Sequence, residues 1–288
     1  MEIIPTEQIP WKTVLANARG GDVQSKYVRE GEILPGVGYA SDCYNYVASE
    51  NFFTAPRHHH DFEQIRISMT GVQDFGQGQI TEEGWIAYFP AGAYYGPESI
   101  SGASIFQIQW SDYWVSKASH AQAYAEMSQT GEFAGGKYNW VDEEGTSRTK
   151  DALNAIWEHV FQRESSFPAP RYPQPILMNP DAFEYVSHDD GLSTKVLGRF
   201  TERDFIITKI RWDERASYSM PGDRTYCLFT NVGDIEVLGQ TYGRHTVVWS
   251  DYSENVEVIG NPGAEALCIA FPTIEFAPDI SGRNAVAP

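Results

Sequence analysis

The chain has 288 residues, 42% hydrophobic and 21% charged, a composition that folds around a core and excludes intrinsic disorder. Lys and Arg number 21 against 39 Asp and Glu, a net charge of −18. Phosphate backbones and anionic lipid repel such a surface, which argues against nucleic-acid and membrane-surface binding.

In chain order, residues 44–47, 64–69, 85–89 and 103–110 are runs of β-branched and aromatic residues, predicted as strands. Gly71, Gly76, Gly78 and Gly84 punctuate the turns between them. The middle changes character. Residues 114–129 contain the helix formers Lys117, Ala118, Ala121, Ala123, Ala125, Glu126 and Met127, predicting a helix closed by Gly131. Residues 148–164 predict a second helix, because Leu153, Ile156, Trp157, Val160 and Phe161 fall on one apolar stripe. Pro168, Pro170, Pro173 and Pro175 then form an extended link. Strand character returns at residues 205–212, 225–230, 235–238, 246–249, 256–259 and 266–271, and the tail at 277–288 is expected to be loosely ordered.

The three cysteines, Cys43, Cys227 and Cys268, are odd in number and include no CxxC pair, which predicts free thiols in a reducing compartment. Residues 1–5 carry no basic stretch leading into an apolar run, and nowhere does the chain approach the roughly 18 apolar residues of a membrane span. A cytoplasmic protein is the expectation. P-loop, Rossmann, HExxH and GxSxG patterns are absent from the sequence.

One segment carries chemistry: Pro56-Arg57-His58-His59-His60-Asp61-Phe62-Glu63-Gln64. Read as the start of a strand, it turns His58, His60, Phe62 and Gln64 to one side and His59, Asp61 and Glu63 to the other. Two imidazoles two residues apart form a natural metal chelate, and Gln64 is placed to join them. Arg66 shares their face. The opposite register would present His59, Asp61 and Glu63, and would need a distant His from among His120, His159, His188 and His245.

His58, His60, Gln64 and Gly71 resemble the first motif of the cupin superfamily, HxH followed by Glu and then Gly. Gly84, Pro90 and Gly92 resemble its second motif, whose final His position falls on Tyr95. Aligning Gly233 with Gly71 places Met220, Gly222 and Tyr226 in the corresponding positions of the second β-rich half, a set without metal-ligating character. The resemblance implies a mainly β protein made of two cupin-type jelly-roll barrels joined by a helical middle. Residues 1–113 would form a barrel with the metal site, 114–180 a helical and Pro-rich connector, and 181–288 a degenerate second barrel. It further implies a divalent ion (Zn, Fe, Mn or Ni) on His58, His60 and Gln64, a small-molecule substrate and a homodimer.

Gln64 stands where the family has a carboxylate, leaving the ion's charge uncompensated. That favours Lewis-acid stabilisation of an enolate or alkoxide, as in a lyase, isomerase or cyclase. Tyr95, or Glu63, would move the proton, and Arg66 would hold a substrate carboxylate or enolate. The alternatives are an Fe(II)-dependent dioxygenase and a barrel that binds a ligand without turning it over.

Overall fold

The computed structural model describes residues 1–15, 22–34, 37–111 and 115–273. Trp114, where the first predicted helix begins, and the tail at 277–288 lie outside them. The described chain is mainly β. It divides into two units: residues 11–26 with 39–177, and Met1–Pro10 with Tyr27–Gly38 and the described residues from Met178 onward.

The first unit contains a jelly-roll barrel. In its larger sheet, strand Glu63–Thr70 lies between Ile86–Phe89 and Ala103–Ser111, and the latter pairs onward with Val37–Val47. Four short strands, Phe53–Ala55, Glu98–Ile100, Gln73–Asp74 and Ile80–Thr81, form the smaller sheet. The register sets Arg66 opposite Gln107 and Ala87, and Gln107 opposite Cys43. Residues alternate faces along each strand, so Gln64, Arg66 and Ser68 share one side while Ile65 and Ile67 share the other. Both sides of Glu63–Arg66 are buried. Gly71 ends this strand in the left-handed region at φ +73°, and a Cβ there would lie 2.5 Å from the Gly102 carbonyl oxygen.

The middle is more than helical. Helix α1 (Lys117–Met127) starts where the Ser116 hydroxyl accepts the Ser119 amide at 3.1 Å. Helix α2 (Ala152–Phe161) starts where the Asp151 carboxylate accepts the amides of Leu153 and Asn154. The predicted second helix therefore begins late: Ser147–Asp151 is the third strand of a small sheet with Gly131–Ala134 and Lys137–Val141, inserted between the helices. The apolar stripe of α2 packs through Ala155 and Ile156 against Ala123, Met127 and Tyr138.

The second unit holds another barrel. Its larger sheet is built on Phe205–Trp212, Glu265–Thr273, Arg224–Val232 and Thr246–Ser250, and Glu2–Pro5 pairs at its edge with Thr246–Ser250. Its interior is apolar, filled by Trp212, Met220, Leu228, Ile235, Val248 and Val258. No helix among the described residues is long and apolar enough to cross a membrane.

Candidate functional site

The histidine triplet is not in a strand, since regular pairing starts only at Glu63. Backbone hydrogen bonds shape the segment instead. His58 forms an isolated bridge with Tyr95, N–H to carbonyl in both directions at 2.9 and 3.0 Å, and the Gly92 amide donates to the His60 carbonyl at 2.7 Å. The two sequence motifs are thus stitched together by main chain. The alternation expected of a strand survives: the His58 and His60 rings lie side by side, centroids 4.8 Å apart, while His59 turns away between Tyr94 and Phe167.

His58 is buried, and its Nδ1 sits 2.6 Å from the Pro56 carbonyl. A carbonyl only accepts, so Nδ1 carries a proton, and in a neutral ring the lone pair would then fall on Nε2. The His60 ring stacks on Phe62, and its Nε2 meets the Tyr95 hydroxyl at 3.0 Å. That hydroxyl also lies 3.4 Å from Arg66 Nη2. Tyr95 is buried, its ring packed with Phe75, Phe89 and Leu177.

Arg66 and Glu98 form a buried ion pair. The guanidinium stands over the rings of Phe89 and Phe75, 4.9 and 5.5 Å from their centroids. Burial is the largest single effect and would lower its pKa, but the charge and hydrogen bond of Glu98 together with the nearby Tyr95 outweigh it and hold Arg66 above the usual arginine value. Gln64 is buried beside it. The Gln64 amide atom 2.9 Å from Arg66 Nε must be the oxygen, because a guanidinium only donates, and the other end of the amide meets Gln109 at 2.6 Å.

The structure therefore brings His58, His60, Gln64, Arg66 and Tyr95 together. It does not bring Glu63 to them. The Glu63 carboxylate points the other way and accepts from the Tyr88 hydroxyl at 2.6 Å, the Ala91 amide at 3.1 Å and Arg171 Nη2 at 2.5 Å. Burial and this carboxylate push the Tyr88 phenol far above its ordinary value.

The opposite-register set is not assembled. His59 is stacked, and Glu63 is held by Arg171. His159 pairs with Glu126 at 2.7 Å, His188 meets Thr194 at 2.8 Å, and His245 stacks on Phe229. Among the described residues, no group of three His, Cys, Asp or Glu side chains is disposed to hold a metal. In the second barrel, Met220 lies in the apolar core, the Gly222 amide donates to Asn255, and the Tyr226 hydroxyl donates to Asp223.

A divalent ion suits the imidazole end of this site. His58 and His60 offer imidazole nitrogens, and the Pro56 carbonyl holds a proton on His58 Nδ1, as ligation through Nε2 requires. Gln64 is less available, since its oxygen faces Arg66, which makes the Tyr95 hydroxyl the better-placed oxygen beside the two imidazoles. His60 Nε2 cannot serve Tyr95 and an ion at once, so uptake of an ion would exchange one partner for the other.

Glu98, Gln109 and Arg171 escaped the sequence reading. Glu98 lies 32 positions from its partner Arg66. The partners of Gln109 and Arg171 are 45 and 108 positions away in the chain.

By sequence, no family model and no curated protein matches the chain. By structure, it is similar to a provisionally named dioxygenase from Nostoc punctiforme PCC 73102, at TM-score 0.58 and 10% identity over 95% of this chain and 83% of that one. It is also similar to oxalate decarboxylase from Bacillus subtilis, at TM-score 0.54 and 11% identity over 95% and 76% of the two chains. A third similar structure is the protein Ylba from Escherichia coli, at TM-score 0.52 and 6% identity over 93% and 89%. The likeness is one of fold: two cupin-type β-barrels in one chain.

Proposed function

We propose that the chain is a metal-dependent enzyme of the cupin fold, acting in its N-terminal barrel on a small oxygen-rich or aromatic molecule. The observation that carries this reading is the Tyr95 hydroxyl, buried within hydrogen-bonding reach of both His60 Nε2 and Arg66 Nη2. Dioxygenase and decarboxylase relatives in structure agree with small-molecule chemistry in this fold.

His58 and His60 are the residues that would hold the ion, which when bound supplies Lewis acidity toward a substrate oxygen. The chain's own groups do the rest. Tyr95 gives up or takes a proton at Oη. Arg66, a permanent donor, stabilises the phenolate left behind and any enolate or alkoxide oxygen beside it. Glu98 and Gln64 keep the guanidinium aimed. Phe62, Phe75 and Phe89 supply apolar walls that thin out water and strengthen these charges. The products would be those of a lyase, isomerase or cyclase. The same aromatic walls favour a flat substrate, and with iron the second reading is a dioxygenase.

Elemental analysis of the purified protein, beside a His58→Ala/His60→Ala double variant, tests this. Near-stoichiometric metal that disappears in the variant is the expected result. Zinc, manganese or nickel selects the Lewis-acid reading, and iron with oxygen uptake selects the dioxygenase. Wild-type protein that retains no metal after soaking in Fe(II), Zn(II), Mn(II) and Ni(II) would overturn both and leave a ligand-binding barrel.

A further inference from the structure

We infer that Arg171 and Phe167, on the Pro-rich segment after α2, are positioning residues that set the geometry of the His58–His60 pair. The inference rests on the reading of those two histidines as ligands. Residues 58–62 have little strand pairing to hold them, so their shape must come from elsewhere.

The alternate residues of this segment show where. His58, His60 and Gln64 turn toward Tyr95 and Arg66. His59 and Glu63 turn out to the Pro-rich segment. The His59 ring is sandwiched between Phe167 at 3.9 Å and Tyr94 at 4.1 Å, nearly parallel to both. Arg171 Nη2 grips Glu63 at 2.5 Å and donates to the Tyr88 hydroxyl at 3.0 Å. Each histidine of the pair is therefore flanked by a residue fastened to the strap, or is itself held at the main chain by Tyr95 or Gly92.

The strap is firm enough to impose a geometry. Four prolines between 168 and 175 restrict its backbone. Gln79 Nε2 donates to the Pro175 carbonyl at 3.1 Å, and Ile176–Met178 adds to the sheet edge beside Ile86–Phe89. Near its start, the Pro168 carbonyl is so close to Gly92 that a Cβ on Gly92 would lie 2.2 Å away. Groups that orient a ligand from behind typically change metal affinity by about 10–100-fold when removed.

Two measurements on the full chain decide the matter. The first is Co(II) titration followed by the visible ligand-field bands. Arg171→Gln should weaken binding about 10–100-fold, and Arg171→Lys, which keeps a cation on Glu63, should recover part of the loss. The second is the two-bond proton–nitrogen spectrum of the imidazoles in metal-free protein, with His58 and His60 assigned by single His→Gln variants. Arg171→Gln should shift or broaden both and leave His188 and His245 in place. Phe167→Leu gives the same readouts if Arg171→Gln does not fold. Unchanged His58 and His60 signals would overturn the inference. If wild-type protein shows no Co(II) bands, the metal reading falls, and the imidazole spectra still decide the role of the strap.

Discussion

Arg66 and Glu98, 32 residues apart in the chain, form an ion pair with both side chains buried inside the N-terminal barrel. Neither charge has water to fall back on. Removing one partner leaves the other uncompensated, a loss of about 3–5 kcal/mol, whereas replacing both with apolar residues of similar size is often neutral or favourable. Glu98→Gln should therefore lower stability by that amount in urea unfolding. The double variant Arg66→Met/Glu98→Leu should unfold near the wild-type midpoint yet lose turnover. A double variant as unstable as Glu98→Gln would show that the pair contributes more than mutual neutralisation.

Tyr95→Phe separates packing from chemistry. The ring keeps its place with Phe75, Phe89 and Leu177. The lost hydrogen bonds cost stability about 1 kcal/mol. A residue that moves a proton contributes about 10²–10⁴-fold to rate, so turnover should fall by that factor while the melting temperature moves by a few degrees. Unchanged turnover in Tyr95→Phe would take the proton role from this residue.

The cysteines should react unequally. Cys227 and Cys268 are buried, and Cys43 is half-exposed with its sulfur accepting from the Asn45 amide at 3.2 Å. Burial pushes the Cys268 thiol up to about 12, against the opposing effect of its hydrogen bond with Tyr218. Near pH 8, a disulfide reagent should label one thiol in native protein and three in guanidinium. Rapid native labelling of two or more would contradict the buried setting of the other pair.

His120, on α1, gives stability a pH dependence of known sign. Burial depresses its pKa below the ordinary 6.5. The unfolded chain therefore binds a proton at a pH where the folded chain does not. The stabilising contribution is complete above 6.5 and declines as pH falls through that value, with a slope of at most about 1.4 kcal/mol per pH unit for one proton. His120→Asn should flatten the slope between pH 6.5 and 5 in urea titrations. An unaltered slope would assign it to other groups.

Ten of the strands were legible in the sequence as runs rich in β-branched and aromatic residues. Residues 205–212 and 266–271 are such runs and fall within the strands Phe205–Trp212 and Glu265–Thr273. The long strand Asp22–Leu34 was not legible, since Lys26, Arg29, Glu30 and Glu32 break any alternation. The small sheet between the helices was missed for a related reason: its strands are short, polar and half-exposed.

At the site, local spacing revealed His58, His60 and Tyr95. It could not reveal that Glu63 belongs to Arg171, because that contact closes a loop of 108 residues and depends on where the Pro-rich segment returns. It also mistook a segment bridged to Tyr95 and Gly92 for the start of a strand. Two residues of regular spacing look the same in either case, and only the pairing partner tells them apart.

The pairing of Glu2–Pro5 with Thr246–Ser250 also orders events during synthesis. Residues Glu2–Pro5, once synthesised, must wait for a partner made more than 240 positions later. At about 5–20 residues per second, that delay is roughly ten seconds to a minute. Throughout it, an unpaired strand edge is exposed to any other nascent chain, so a holding chaperone should act on the segment Glu2–Pro5.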